Sequence, residues 1–305
     1  MAAPPPIAVI LNAAAGGGCT QPFASSLADK FRLHGLEVRI TLAHSGEEIL
    51  AAARLATSEG VPVVVAGGGD GTINAVASVV AGSRSALGVL PLGTLNHFAR
   101  DLKIPLDLDE AVRVIAEGHT GKVDTGEVNG KLFLNNSSLG LYPDTVRHRE
   151  QQQRRLGRGK WLAFFWAAIT VLKRYPFLNA TITLDGQAYH RRTPFIFIGN
   201  NPYQMEGFNI GVRDGMDAGV LSLYVVQRTG RLGLLVLAAR ALLGKLSQAK
   251  DFDALTTEEL VIDTHHAQLR VATDGEVLFM QTPLRYRICP GALTVVLPAQ
   301  DGPTP

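Results

Sequence analysis

Up to about residue 122 the chain alternates short, uninterrupted apolar runs with stretches whose apolar positions recur at helical spacing. The runs 7–11, 36–42, 61–66 and 86–90 read as strands, and 21–34, 46–58, 73–81 and 107–117 read as the helices between them. VPVVVA (61–66) is rich in β-branched residues and has no polar interruption, the pattern of a strand buried on both faces of a parallel sheet. A βαβ series of this kind predicts an α/β domain with helices on both faces of a parallel sheet. After residue 122 the rhythm changes. Short strands separated by turn residues dominate, at 123–128, 131–136, 179–184, 194–199, 220–226, 259–263, 268–272, 277–280 and 285–288. They predict an antiparallel β domain, built as a sandwich.

Three short stretches carry candidate chemistry. Gly67-Gly68-Gly69-Asp70-Gly71-Thr72 falls between the 61–66 strand and a helix that would stop at Gly82. A glycine turn in that setting offers backbone N–H groups and a helix N-terminus to an anion. Asp70 would repel a bare phosphate but suits a divalent metal lying between carboxylate and phosphates. The spacing fits neither GxGxxG nor GxxxxGK[ST], so a plain tight corner stands beside the phosphate reading. The second stretch, PLGTLNHFARDL (91–102), again turns through a glycine from a short strand into a helix. Two such turns after neighbouring parallel strands meet at the carboxyl edge of the sheet, where open α/β sheets hold ligands. The third is Asp274-Gly275-Glu276, flanked by alternating residues that predict a hairpin with Asp-Gly at its turn. Taken alone, that dipeptide is only a turn.

Together, GGGDGT (67–72), PLGTLNHFAR (91–100) and DGE (274–276) resemble the diacylglycerol kinase catalytic-domain family, which includes bacterial soluble lipid kinases and the sphingosine and ceramide kinases. Asn12 with Gly16–Gly18, Thr41, LGRGKW (156–161) and MDAGVLSLYVV (216–226) extend the resemblance over nearly the whole chain. It implies an N-terminal α/β domain with a parallel sheet, a NAD kinase-like Rossmann variant, and a C-terminal antiparallel β-sandwich domain. It also returns LTVVLP (293–298) to the first domain, giving 1–122 plus 292–300 for the nucleotide and 123–291 for the lipid. DGE would then face the nucleotide turns across the interdomain cleft.

The implied activity is ATP-dependent phosphorylation of a lipid alcohol, diacylglycerol or a sphingoid/ceramide-like lipid. Asn12, Gly16, Gly17, Thr41, Gly67, Gly68, Gly69, Asp70, Gly71, Thr72, Thr94 and Asn96 would line the ATP site, with Asp70 orienting Mg²⁺. Glu276, with Asp274 beside it, would be the general base. A separate structural metal would use Asp217 or Asp214 in RDGMDAGVL. Two positions depart from the family pattern. His97 stands where many members carry Asp, so that Asp101 or water substitutes or the position is not essential, and Ala13 replaces a proline. NAD kinase shares a GGDGT-type turn and is the alternative enzyme. A catalytically weak, nucleotide-gated membrane-binding module is the alternative from another class.

Composition narrows the classes further. The 305 residues are 46% hydrophobic, ample for two domain cores, and the formal net charge of +2 with no basic, aromatic-interleaved stripe argues against a nucleic-acid partner. Cys19 and Cys289 are the only cysteines, which fits a reducing compartment. The N-terminus lacks a basic leader region, and no uncharged stretch reaches the ~20 residues a membrane span needs. The expectation is a cytoplasmic protein peripherally associated with membrane. Residues 147–160 carry six Lys/Arg against one Glu and lead into an aromatic, apolar run to 176, a pattern suited to an anionic membrane surface or to a core helix with a solvated loop. The run 231–246 is read as a helix packed on the sandwich, or an interfacial one. Asp124 is a turn former at the domain junction, His265-His266 an exposed loop, and Tyr142 and Tyr203 packing residues or neighbours of a lipid entrance. A homodimer through a sandwich edge is compatible with the sequence.

Overall fold

The structure is a computed structural model, and it describes residues 7–140, 177–206, 209–213, 215–226 and 252–299. These fall into two compact units, one drawn from Met1–Thr125, Gly215–Gly219 and Cys289–Pro305, the other from Gly126–Asp214 and Val220–Ile288. The short stretch 215–219 belongs to the first unit although strand-rich sequence surrounds it.

In the first unit, β1 (Ile7–Asn12), β2 (Val38–Ala43), β3 (Val63–Gly68) and β4 (Ala86–Pro91) pair in parallel in the order β2-β1-β3-β4. The end of the last strand, β18 (Leu284–Val296), adds beside β4 through Val295 opposite Leu87. Helices α1 (Gln21–Leu33) and α5 (Leu108–Glu117) bury Leu27, Phe31, Val112 and Ile115 against Val9, Leu11, Val65 and Leu90. Helices α2 (Gly46–Ser58) and α3 (Asp70–Val80) pack on each other and on β1 and β3, covering the opposite face. Their ends are fixed by local chemistry. Ser45 Oγ accepts from Glu48 N at 3.2 Å while Glu48 Oε2 accepts from His44 N at 2.8 Å, a reciprocal cap on α2. Asp107 caps α5 through the N–H groups of Asp109 and Glu110, and Gly118, with φ 71°, ends it.

One boundary differs from the sequence expectation in a way that matters for the site. Gly67 and Gly68 are the last rungs of β3, opposite Leu90 and Pro91, and α3 already begins at Asp70. Only Gly69 is left as the turn.

The second unit is antiparallel. One sheet contains β9 (Gln187–Thr193), β8 (Leu178–Leu184), β15 (Glu259–Thr264) and the start of β18 in that order, with the hairpin of β5 (Thr120–Val128) and β6 (Lys131–Phe133) beside it. The other runs β14 (Phe252–Thr257), β13 (Leu221–Val226), β10 (Phe195–Asn200), β7 (Asn136–Gly140), β16 (Gln268–Thr273), β17 (Glu276–Gln281). Phe133, Ile182, Leu260, Ile262 and Tyr286 from the first sheet share a core with Leu139, Ile196, Ile198, Leu223 and Val271 from the second, as a sandwich requires. A small hairpin, β11 (Tyr203–Glu206) with β12 (Asn209–Arg213), completes the described strands.

Candidate functional site

In the first unit, three loops at the carboxyl ends of β1, β3 and β4 are tied into one body. Asn12 Nδ2 donates to Thr72 Oγ1 at 3.0 Å, joining the end of β1 to the first turn of α3. Its Oδ1 accepts from Ala14 N at 3.0 Å, starting the β1–α1 loop. That loop makes a single 3₁₀ turn at Ala15–Gly17, with Gly16 left-handed (φ 59°) close to Leu92 O of the β4 loop. Asp70 Oδ1 accepts from Phe98 N at 3.2 Å, so the aspartate that opens α3 also holds the start of the short helix α4 (His97–Asp101).

Glycine is needed here for close approach. A Cβ at Gly67 would lie 2.3 Å from Leu11 Cδ2, and one at Gly68 would lie 2.4 Å from Thr72 Oγ1. At Gly93 a Cβ would meet Gly69 Cα at 2.5 Å, so the two glycine turns touch backbone to backbone. Gly17 and Gly71 are different, because a Cβ on either finds no atom within 4 Å. Those two mark the open side, where Thr94 and His97 are also exposed. Gly93→Ala should separate the turns and cost about 1–3 kcal/mol, the usual range for overpacking. Urea unfolding checks this, and a midpoint equal to wild type would show that the contact tolerates a methyl.

Asn96 is turned into its own loop. It is 4% exposed and left-handed (φ 51°). Its Oδ1 accepts from Gly93 N at 3.0 Å, and its Nδ2 donates to Pro91 O and Gly93 O at 3.2 and 2.9 Å. With the amide spent on its own turn, Asn96 shapes the loop from within. Thr41 stands on the edge strand β2 opposite Ile10, half-buried.

In the second unit, Asp274 and Gly275 (φ 47° and 84°) make the tight turn between β16 and β17, closed by the pair Thr273 and Glu276. Asp274 Oδ2 accepts from Leu134 N at 2.7 Å, and Oδ1 accepts from Asn135 N and Asn136 N at 2.8 and 3.0 Å. Burial pushes the Asp274 carboxyl above its ordinary range, while these amides and the Arg213 cation act in the opposite direction. Glu276 is exposed, with Oε2 3.3 Å from Lys131 Nζ. The turn thus pairs an anchored acid with an accessible one. The Leu134–Asn136 clasp and Lys131 escape sequence reasoning, since neither carries a local pattern.

Among the described residues, no group of three or more His, Cys, Asp and Glu side chains is arranged to hold a metal. Asp217 is exposed, and Asp214, like Tyr142 and the runs 147–176 and 231–246, lies outside the described residues. Asp124 accepts from Gly219 N at 2.7 Å and from Gly291 N at 2.8 Å, so it locks the 215–219 stretch and β18 into the first unit. Tyr203 packs its ring against Phe197, with centroids 5.6 Å apart, and His265 and His266 are exposed.

Comparison with known proteins agrees with this organisation. Residues 6–128 match the family model of the diacylglycerol kinase catalytic domain, and residues 141–297 match that of the YegS C-terminal NAD kinase beta sandwich-like domain. A diacylglycerol kinase of Staphylococcus aureus (strain bovine RF122 / ET3-1) is 31% identical over 231 residues, covering 72% of each chain. A diacylglycerol kinase of Staphylococcus carnosus (strain TM300) is 28% identical over 76% of this chain and 77% of its own. The crystal structure of a diacylglycerol kinase from Bacillus anthracis str. Sterne superposes with a TM-score of 0.69 over 96% of this chain and 97% of its own. At 22% identity, that likeness speaks for the fold.

Proposed function

Because the chain belongs to the diacylglycerol kinase catalytic-domain family, we propose that it is an ATP-dependent lipid kinase acting on a lipid alcohol of the diacylglycerol or sphingoid/ceramide class. The observation that carries this reading is the joining of three loops at neighbouring parallel strand ends, with Asn12, Asp70 and Thr72 at the joints and Gly17 and Gly71 left open. Such a surface suits polyphosphate. The N-terminus of α3, 11 residues long, offers the positive end of its dipole to an anion. Asp70 keeps a second carboxylate oxygen beside the one bonded to Phe98 N, which fits a residue that holds Mg²⁺. Bound Mg²⁺ supplies charge neutralisation across the terminal phosphates.

Glu276 is assigned the proton transfer. Its carboxylate takes the hydroxyl proton as the alcohol oxygen bonds to the γ-phosphorus, and the bond to the bridging oxygen breaks with its electron pair leaving on ADP. Peripheral contact with an anionic membrane surface, through 147–176 and 231–246, belongs to the same proposal. Among the described residues, no helix is long and apolar enough to cross a membrane.

The test is radiolabelled ATP with Mg²⁺ and a panel of diacylglycerol, ceramide, sphingosine and NAD⁺ as acceptors. Label should enter one lipid class and not NAD⁺. Labelled NADP⁺ would make the protein a dinucleotide kinase. ATP binding without transfer to any acceptor would make it a nucleotide-gated module.

A further inference from the structure

We infer that Arg213 is a positioning residue for Glu276, acting through the Leu134–Asn135 peptide and the Asp274 turn; the inference rests on the assignment of Glu276 as base. Arg213 is 2% exposed, in an interior where an arginine is kept only with partners for its charge and its donors. Its Nη1 donates to Leu134 O and Asn200 O, both at 2.9 Å, and its Nη2 donates to Asn135 Oδ1 at 2.7 Å.

The carbonyl that Arg213 grips belongs to the same peptide group whose N–H, on Asn135, binds the Asp274 carboxylate. A cation on the oxygen side of a peptide polarises it and makes its N–H a stronger donor, so the two charges reinforce each other through one amide plane. Other bonds brace the same segment. Asn200 Nδ2 donates to Leu134 O at 2.8 Å, Tyr203 OH donates to Asn135 O at 2.9 Å, and the guanidinium stacks 5.1 Å from the Tyr203 ring centroid. Asp274 N in turn donates to Asn136 O at 2.9 Å. The result is a short rigid chain from Arg213 to the turn, and Glu276 is the next residue after Gly275. An exposed carboxylate gains its fixed place from the backbone beneath it. Here that backbone is held, through one peptide group, by a buried cation.

The test uses Arg213→Met, Arg213→Lys and Glu276→Gln, alone and combined, in the full-length protein with labelled ATP and the lipid acceptor. Misplacing a reacting group by about 1 Å can cost on the order of 10²-fold, so Arg213→Met should lower kcat by roughly 10- to 10²-fold while KM for ATP moves by less than about twofold. Arg213→Lys keeps the charge without the planar fork and should fall between Met and wild type. In the Glu276→Gln background neither substitution should lower the residual rate further, because the group being positioned is already gone. If Arg213→Met does not fold, Arg213→Lys alone and paired with Glu276→Gln carries the same comparison. Wild-type kcat in the folded Arg213 variants, or losses that multiply in the double variant, overturns the positioning role and leaves Glu276 as base. A near wild-type rate for Glu276→Gln alone overturns the base assignment and this inference with it.

Discussion

Glu276→Gln should lower lipid phosphorylation by about 10²–10⁴-fold, the range that general acid–base catalysis supplies. The substitution preserves shape and removes the negative charge together with the ability to take a proton. Structural side effects should be small, since Glu276 is 64% exposed and its ion pair with Lys131 is a surface one. Such pairs are worth about 0–1 kcal/mol. ATP binding, assigned to loops of the other unit, should stay at the wild-type Kd in calorimetric titration. Turnover of labelled ATP into lipid at the wild-type rate would remove Glu276 from the mechanism.

The second large effect is on stability. Asp274→Ala removes the acceptor for the N–H groups of Leu134, Asn135 and Asn136 and a negative charge that interacts with buried Arg213. Breaking a buried, hydrogen-bonded charge arrangement by deleting one partner costs about 3–5 kcal/mol. Native stabilities are about 5–15 kcal/mol, so the second unit should lose much of its margin. Urea unfolding followed by circular dichroism should show a clearly lowered midpoint for Asp274→Ala and an unchanged one for Glu276→Gln. Equal midpoints would mean that Asp274 anchors nothing. The pair of variants therefore separates the two acids of one turn: one fixes it, and the other is the proposed base.

That difference was not readable from the residues. Asp-Gly between alternating runs announces the turn, because both positions need left-handed backbone and few residue types accept it. Which acid is buried depends on Leu134–Asn136, some 140 positions away, and no local pattern encodes that partnership. The same holds at Asn96, whose motif suggests a ligand contact while its amide is consumed by Pro91 and Gly93.

The parallel strands were legible because burial on both faces leaves unbroken apolar runs. QAYHRRT (β9) shows no such run, because it is an edge strand with exposed polar positions. The expected strand at 131–136 divides into β6 and β7, and the runs expected at 285–288 and 293–298 belong to one strand, β18. Pro290 is tolerated because β18 changes partners around it, pairing with β15 up to Arg287 and with β4 at Val295. Two of the three glycines expected in the turn complete β3, since Leu90 and Pro91 still offer ladder partners.

The first unit is assembled from distant parts of the chain. Gly82 N bonds to Ala292 O, Leu297 N to His119 O, and Gly291 N to the Asp124 carboxylate. A nascent chain ending before Cys289 would lack all three bonds and would leave β4 with an unsatisfied flank, the kind of edge that recruits strands from other molecules. Residues 289–297 must therefore be made before the first unit can close. Fragments cut short of that point should aggregate, even though every glycine loop is already in them.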